Sequence, residues 1–319
     1  MNTILVPLDG SARAEQVLPY VRRLAPLLDA KLYLVQVVPE THDDDPFAMT
    51  VAEAYQHGLG PTATQRERAW HSWELQRRHA EGYLEAQAIM LQPAGVRVDF
   101  TVRLGDPAEE IIAVAEEQRA TLIALATHGY SGLKRWTLGS VTDKVVHAAP
   151  MPVFIIRSAV QPPADHVAFT RILVPLDGSP LAQQALPLAT TLATRAPAEL
   201  TLIEAISPVI ESYPLPLGQP LSHYRVLLPA LRAKATDDLT SAAQGLRAQG
   251  LRVQTLVEDG YPAELIVDTA DQRASDLIVM ATHGYGGIRR WVLGSVADKV
   301  LHAATTPLLL VRARNVTEA

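Results

Sequence analysis

Two stretches of this chain, 127–149 (THGYSGLKRWTLGSVTDKVVHAA) and 282–304 (THGYGGIRRWVLGSVADKVLHAA), agree at 17 of 23 positions, and the six differences exchange small or similar residues. The agreement extends well beyond them. Residues 4–11 (ILVPLDGS) return unchanged as 172–179, an offset of 168, and 105–109 (GDPAE) return as 260–264 (GYPAE), an offset of 155. The first half therefore carries 13 additional residues, placed between Pro39 and Gly105. So long a period is not a solenoid repeat, which runs to roughly 20–50 residues; it is one domain present twice. With 319 residues, each copy has enough chain to bury its own core. The expected boundaries are 1–158 and 170–314, joined by a linker at 159–169 that contains Pro162 and Pro163.

Within each copy, apolar runs rich in β-formers alternate with helical patterns. The first predicted strand, 3–8, shows little polar alternation, as befits a strand covered on both faces. A helix is predicted over about 12–28, and its counterpart begins at Ser179-Pro180, an N-cap followed by proline at the first helical position. Then come a strand at 31–38, a long connection, a helix near 68–91, a strand at 96–103 and a helix at about 107–118. The copy closes with a strand at 121–126, a glycine-rich loop, a helix at 141–148 and a last strand at 153–157. Such alternation predicts a doubly wound α/β domain with a parallel five-stranded sheet and helices on both faces. Sheets of this kind bind ligands beyond the carboxyl ends of the strands, where strand order reverses. If the first and fourth strands are neighbours, the PLDGS and THG…GS segments face one another across a single crevice.

Composition removes several classes of function. A net charge of −6 offers no basic face for nucleic acid. The absence of cysteine excludes disulfides, thiolate metal sites and cysteine nucleophiles. No apolar run approaches the roughly 18 residues of a membrane span. A strand predicted from Thr3 leaves no room for a leader, so the expected location is cytoplasmic. There is no Gly-Lys dipeptide for a P-loop, no G-x-G-x-x-G and no G-x-S-x-G elbow.

What remains is a loop in which glycines stand between a strand end and a helix start, Gly129-x9-Gly139-Ser140 and Gly284-x9-Gly294-Ser295. Glycines there let backbone N–H groups approach a phosphate, and the helix N-terminus favours its charge. With PLDGS upstream each time, both halves resemble the universal stress protein family, over nearly the whole chain. The ATP-binding branch of that family carries Gly-x2-Gly-x9-Gly-(Ser/Thr). Here Ala126 and Ala281 replace the first glycine, adding a Cβ where the backbone approaches the ligand.

The resemblance implies two tandem Rossmann-like domains and a list of nucleotide-binding residues. Asp9 and Asp177 would lie near ribose and adenine, with Pro7 and Pro175 beside them. Val37 and Ala205 would meet the adenine edge through backbone groups. Ala126, Thr127, His128 and Gly129, and Ala281, Thr282, His283 and Gly284, would line ribose and phosphates. Gly139, Ser140 and Val141, and Gly294, Ser295 and Val296, would donate N–H groups and a hydroxyl to the phosphates; Thr142 would add a second hydroxyl that Ala297 lacks. The implied ligand is ATP, alone or with Mg, and the implied role is a stress-response regulator or sensor. The halves would pair through their last strands, and two chains would form a homodimer.

The same residues have plainer readings. Ser140-x-x-Asp143 and Ser295-x-x-Asp298 read as capping boxes, and Asp-Gly-Ser as a simple strand-to-helix turn. His128 and His283 lack an accompanying nucleophile at recognisable spacing, so loop packing explains them. Lys134, Arg135, Arg289 and Arg290 read equally as phosphate contacts or surface charge, and Trp136 and Trp291 as packing against a neighbouring helix or domain before stacking on adenine. Asp43-Asp44-Asp45 with His42 and His57 would suit a metal, but the second copy has no counterpart, which favours a solvated loop. Two other functions stay open: a weak ATP hydrolase, and a dimerisation module with an empty pocket.

Overall fold

The computed structural model describes residues 2–39, 63–92, 95–127, 138–158, 167–207, 222–283 and 293–313. The first half supplies strands β1 (Asn2–Pro7), β2 (Ala30–Val38), β3 (Val98–Leu104), β4 (Leu122–Thr127) and β5 (Val153–Arg157), with helices α1 (Leu18–Leu27), α2 (Ala63–Leu91), α3 (Pro107–Glu117) and α4 (Ser140–Ala148). The second repeats them as β6 (Arg171–Leu176), β7 (Glu199–Ile206), β8 (Arg252–Asp259), β9 (Leu277–Ala281) and β10 (Leu308–Val311), with α5 (Leu186–Arg195), α6 (Ser222–Arg247), α7 (Pro262–Gln272) and α8 (Ser295–Ala303).

All ten strands form one sheet in the order β3-β2-β1-β4-β5-β10-β9-β6-β7-β8. Successive side chains of a strand point to opposite faces, so Ile4 and Val6 join a core layer with α1 and α2 (Val21, Leu24, Leu84). Leu5 joins the opposite layer with α3 and α4 (Ile111, Val114, Val145). Both layers contain residues of the two halves, so the hydrophobic interior is continuous across the molecule.

The halves meet where β5 runs antiparallel to β10, with Leu308 opposite Ile155, Leu309 opposite Phe154 and Leu310 opposite Val153. Phe154 and Leu309 occupy equivalent places in the two copies, so this is a self-complementary, pseudo-two-fold contact. Arginines repeat the symmetry. Arg157 Nη2 donates to His302 O (2.6 Å) at the end of α8, and Arg312 Nη2 donates to His147 O (3.1 Å) at the end of α4. Each half thus satisfies carbonyls that the other half's helix leaves without intrahelical donors. Arg157→Ala and Arg312→Ala should each lower stability by about 1–2 kcal/mol in urea titrations, the range for a partly buried charged hydrogen bond.

One local expectation fails. The first helix of each copy begins later than predicted, because a 3₁₀ turn intervenes, Ala14–Val17 and Ala182–Ala185. Ser11 Oγ accepts from Ala14 N (3.2 Å) and Ser179 Oγ from Ala182 N (3.1 Å), so the serines cap these turns. Proline in the first turn of α1 and of α5 has no N–H for an i→i−4 bond. The α ladder therefore starts at Leu18 and Leu186 and not at Ser179-Pro180.

Candidate functional site

β1 and β4 are neighbours, Ile4 opposite Leu122 and Leu5 opposite Ile123, and β6 and β9 repeat the arrangement. From this pair the connections leave in opposite directions, so the crevice at their carboxyl ends is the switch point of each half. The PLDGS turn forms one wall. Pro7 ends β1 and Pro175 stands one residue before the end of β6, and the Asp9 and Asp177 Oδ1 atoms accept from Ser11 N (2.9 Å) and Ser179 N (3.0 Å). Gly10 and Gly178 lie between them at φ +80° and +75°, a conformation L side chains rarely adopt. The turn-forming role of these aspartates is real, and their second carboxylate oxygens take no part in it.

The opposite wall is the end of β4 or β9. Ala126 and Ala281 sit in regular parallel ladders, opposite Ile156 and Val311, so neither position needs glycine's conformational freedom. Thr127 O is held by Ser158 through its N–H (3.2 Å) and Oγ (2.5 Å). Thr282 is fixed through its N–H to Val311 O (2.9 Å) and its Oγ1 to Ala313 N (3.2 Å), and His283 Nδ1 lies 3.2 Å from the same hydroxyl. His283 is buried, as loop packing requires.

Gly294 brings the loop back to this wall. Its N–H donates to Thr282 O at 2.8 Å, and a Cβ placed on it would stand 2.9 Å from that same oxygen. Its φ of −62° and ψ of 146° suit any residue, so glycine is required here for space and not for conformation.

Ser140 and Ser295 then begin their helices, and the expected capping boxes do not form. The cap positions belong to Gly139 and Gly294, with extended backbones, and neither helix has a side-chain cap bond. The acidic residue falls one place too late: Asp143 N and Asp298 N already bond to the glycine carbonyls at 2.9 Å. Both serines are exposed, and the N–H groups of Ser140, Val141 and Thr142, like those of Ser295, Val296 and Ala297, precede the first intrahelical bond. Three donors, a hydroxyl and the positive end of a helix dipole thus lie beside the crevice, a setting that favours an anion. Thr142 is buried, at the place where Ala297 packs into the core. Ser295→Ala should leave stability within about 0.5 kcal/mol in urea, where loss of a true cap removes about 1 kcal/mol.

The match to the model of the universal stress protein family spans residues 1–157 and again 168–312. The chain belongs to the universal stress protein family. A universal stress protein of Mycolicibacterium smegmatis is 27% identical over 319 residues, covering 98% of this chain and 97% of its own. One from Mycobacterium tuberculosis is 30% identical over 251 residues, covering 76% of this chain and 80% of its own. Among solved structures, a universal stress protein of Archaeoglobus fulgidus superposes with a TM-score of 0.66 at 23% identity, covering 98% of both chains, a likeness of fold. Tandem domains with a Rossmann-like fold are therefore this protein's architecture.

The two universal stress protein domains differ in charge at a strand position that sequence reading passed over. Val37 and Ala205 stand one residue before the ends of β2 and β7, half-buried. The residue before each is Gln36 in the first half and Glu204 in the second. Burial pushes the Glu204 carboxyl up to about 7, reinforced by Asp238 and Asp177 and partly offset by Lys234. Aligning the two copies residue by residue would have exposed the exchange. His128, Gly129 and Gly284, with Lys134, Arg135, Trp136, Arg289, Arg290, Trp291 and the segment holding His42, Asp43 and His57, lie outside the described residues. Among the described residues no cluster of His, Asp or Glu could hold a metal, and no helix is long and apolar enough to cross a membrane.

Proposed function

We propose that each half binds an adenine nucleotide, ATP as the leading candidate, with its phosphates on the N-termini of α4 and α8 and its nucleoside toward Asp9 and Val37 or Asp177 and Ala205. The observation that carries the reading is the way each of these helices starts. An exposed serine hydroxyl that caps no helix and three N–H groups that precede the first intrahelical bond stand at the switch point of a Rossmann-like domain. The family's Gly-x9-Gly-Ser spacing supports it in both copies. Mg would come with the phosphates, since the described residues offer no ligand set of their own. Occupancy would shift the surface that partners read, the population shift expected of a sensor or regulator.

Calorimetric titration with Mg-ATP, after a denatured sample has been checked for co-purified nucleotide, tests the assignment. Two sites per chain are expected, with Gly139→Asp removing one and Gly294→Asp the other. Failure to bind at either crevice, with no nucleotide carried through purification, would overturn the assignment and favour a pairing module with an empty pocket.

A further inference from the structure

Behind each PLDGS turn the second strand presents one polar side chain, and the copies differ there. In the first half Gln36 Nε2 lies 3.8 Å from where a Cβ on Gly10 would stand. In the second half the corresponding side of Gly178 is filled by Asp238 Oδ2, 2.8 Å from its Cβ position, and by Lys234 Nζ, at 3.3 Å. Lys234 is itself bonded to Asp238 at 2.6 Å. Glu204, in Gln36's place, has one carboxylate oxygen sealed from solvent with no hydrogen-bond partner. The helix residues above follow the exchange: at the repeat offset, Asp238 of α6 stands where α2 has Tyr83.

We propose that Glu204 is a positioning residue that links ligand binding in the second crevice to the uptake of a proton, while the first crevice binds its ligand independently of that proton. The inference rests on the nucleotide reading above and adds a regulator to one of its two sites. The groups facing Glu204 are Asp177 from the turn after β6 and Asp238 and Lys234 from α6. Protonated, Glu204 is a neutral donor and acceptor like Gln36. Ionised, it gives the turn a third carboxylate against one ammonium, and the nucleoside wall of the crevice becomes more negative across from the bound phosphates. With the acid displaced to about 7, that change falls in the physiological range. In the first half, Asp9 and Glu15 lie near Tyr83. Glu15 accepts from Gln87 Nε2 (3.3 Å), and burial with the nearby Glu15 carboxylate pushes the Tyr83 phenol well above its ordinary range. Neither Gln36 nor Tyr83 changes charge near neutrality.

The sign follows from linkage. Anion binding at the second site weakens as pH rises through about 7, and each unit by which the ligand displaces the Glu204 acid is tenfold in affinity. Mg-ATP titrations at about pH 6 and about pH 8.5 should show one site weakening about tenfold and one unchanged. Glu204→Gln should flatten the response, and Gln36→Glu should confer it on the other site. Two sites with the same pH profile in the native protein, or a response that survives Glu204→Gln, would overturn the proposal. Absence of ATP binding at every pH would overturn the nucleotide reading and the ligand half of this inference together. The melting profile of the ligand-free protein then decides the proton-linked half. A carboxyl raised on folding loses stability as pH climbs from the ordinary carboxylate range to about 7, so Glu204→Gln should gain on the native protein across that window. Parallel melting profiles would remove Glu204 from the account.

Discussion

Phe154→Ala should lower the unfolding free energy by about 3–5 kcal/mol, the largest effect expected of any single change in this protein. The ring is fully buried, and it stands opposite Leu309 at the centre of the antiparallel contact between halves. Tyr20 packs against it at 5.8 Å and Phe169 meets it edge-on at 6.3 Å, so truncation removes the middle of a three-ring stack as well as its own buried area. The cavity would open between β5, α1 and the start of the second half, elements tied by hydrogen bonds that limit collapse. Urea denaturation followed by circular dichroism checks the magnitude. A loss below about 1.5 kcal/mol would mean that the junction repacks freely, contrary to its close fit. Because the core layers run through both halves, the native protein should unfold in one transition. Phe154→Ala is the substitution most able to split it into two.

Gly294→Val should disable the second crevice and reduce stability by about 1–3 kcal/mol, the usual range for overpacking. The reason is specific. The new Cβ would meet Thr282 O at 2.9 Å, and that oxygen is held in place by the Gly294 N–H itself. Relief therefore requires moving the start of α8 away from the end of β9, which carries Ser295 and its N–H groups out of the crevice. Titration with Mg-ATP should show one site lost and the other retained, while Ser295→Ala weakens the same site with little effect on stability. Unchanged binding in Gly294→Val would show that the helix start is not where the ligand's phosphates sit.

The architecture was legible because its signals were strong and given twice. Unbroken apolar runs such as residues 4–8 and 122–126 named the central strands, and repetition made the adjacency of β1 and β4 a single question asked of two copies. The helix starts were less legible. Glycine and serine are both acceptable N-caps, and Ser-x-x-Asp matches a local pattern that nothing nearby contradicts. The choice fell to glycine because Thr282 O leaves no room for a Cβ, a tertiary fact. The delayed start of α1 was written in Pro19, whose missing N–H marks where a ladder can begin. Glu204 was hidden for another reason: a polar residue at a strand end reads as solvent-facing, and only the arrival of α6 with Asp238 encloses it.

The β5–β10 pairing has a consequence for how this protein responds to dilution. A self-complementary strand edge on one separate domain is a dimer interface, governed by concentration. Here the partner edge belongs to the same chain, so the pairing is intramolecular and its effective concentration does not fall on dilution. The paired state should thus persist at protein levels where two independent halves would have parted. A half expressed alone would carry the row of unpaired N–H and C=O groups of β5, with Phe154 at its centre, and would seek a second copy to cover them. Duplication has turned an equilibrium into a fixed part of the fold, and each crevice is left free to diverge from its twin.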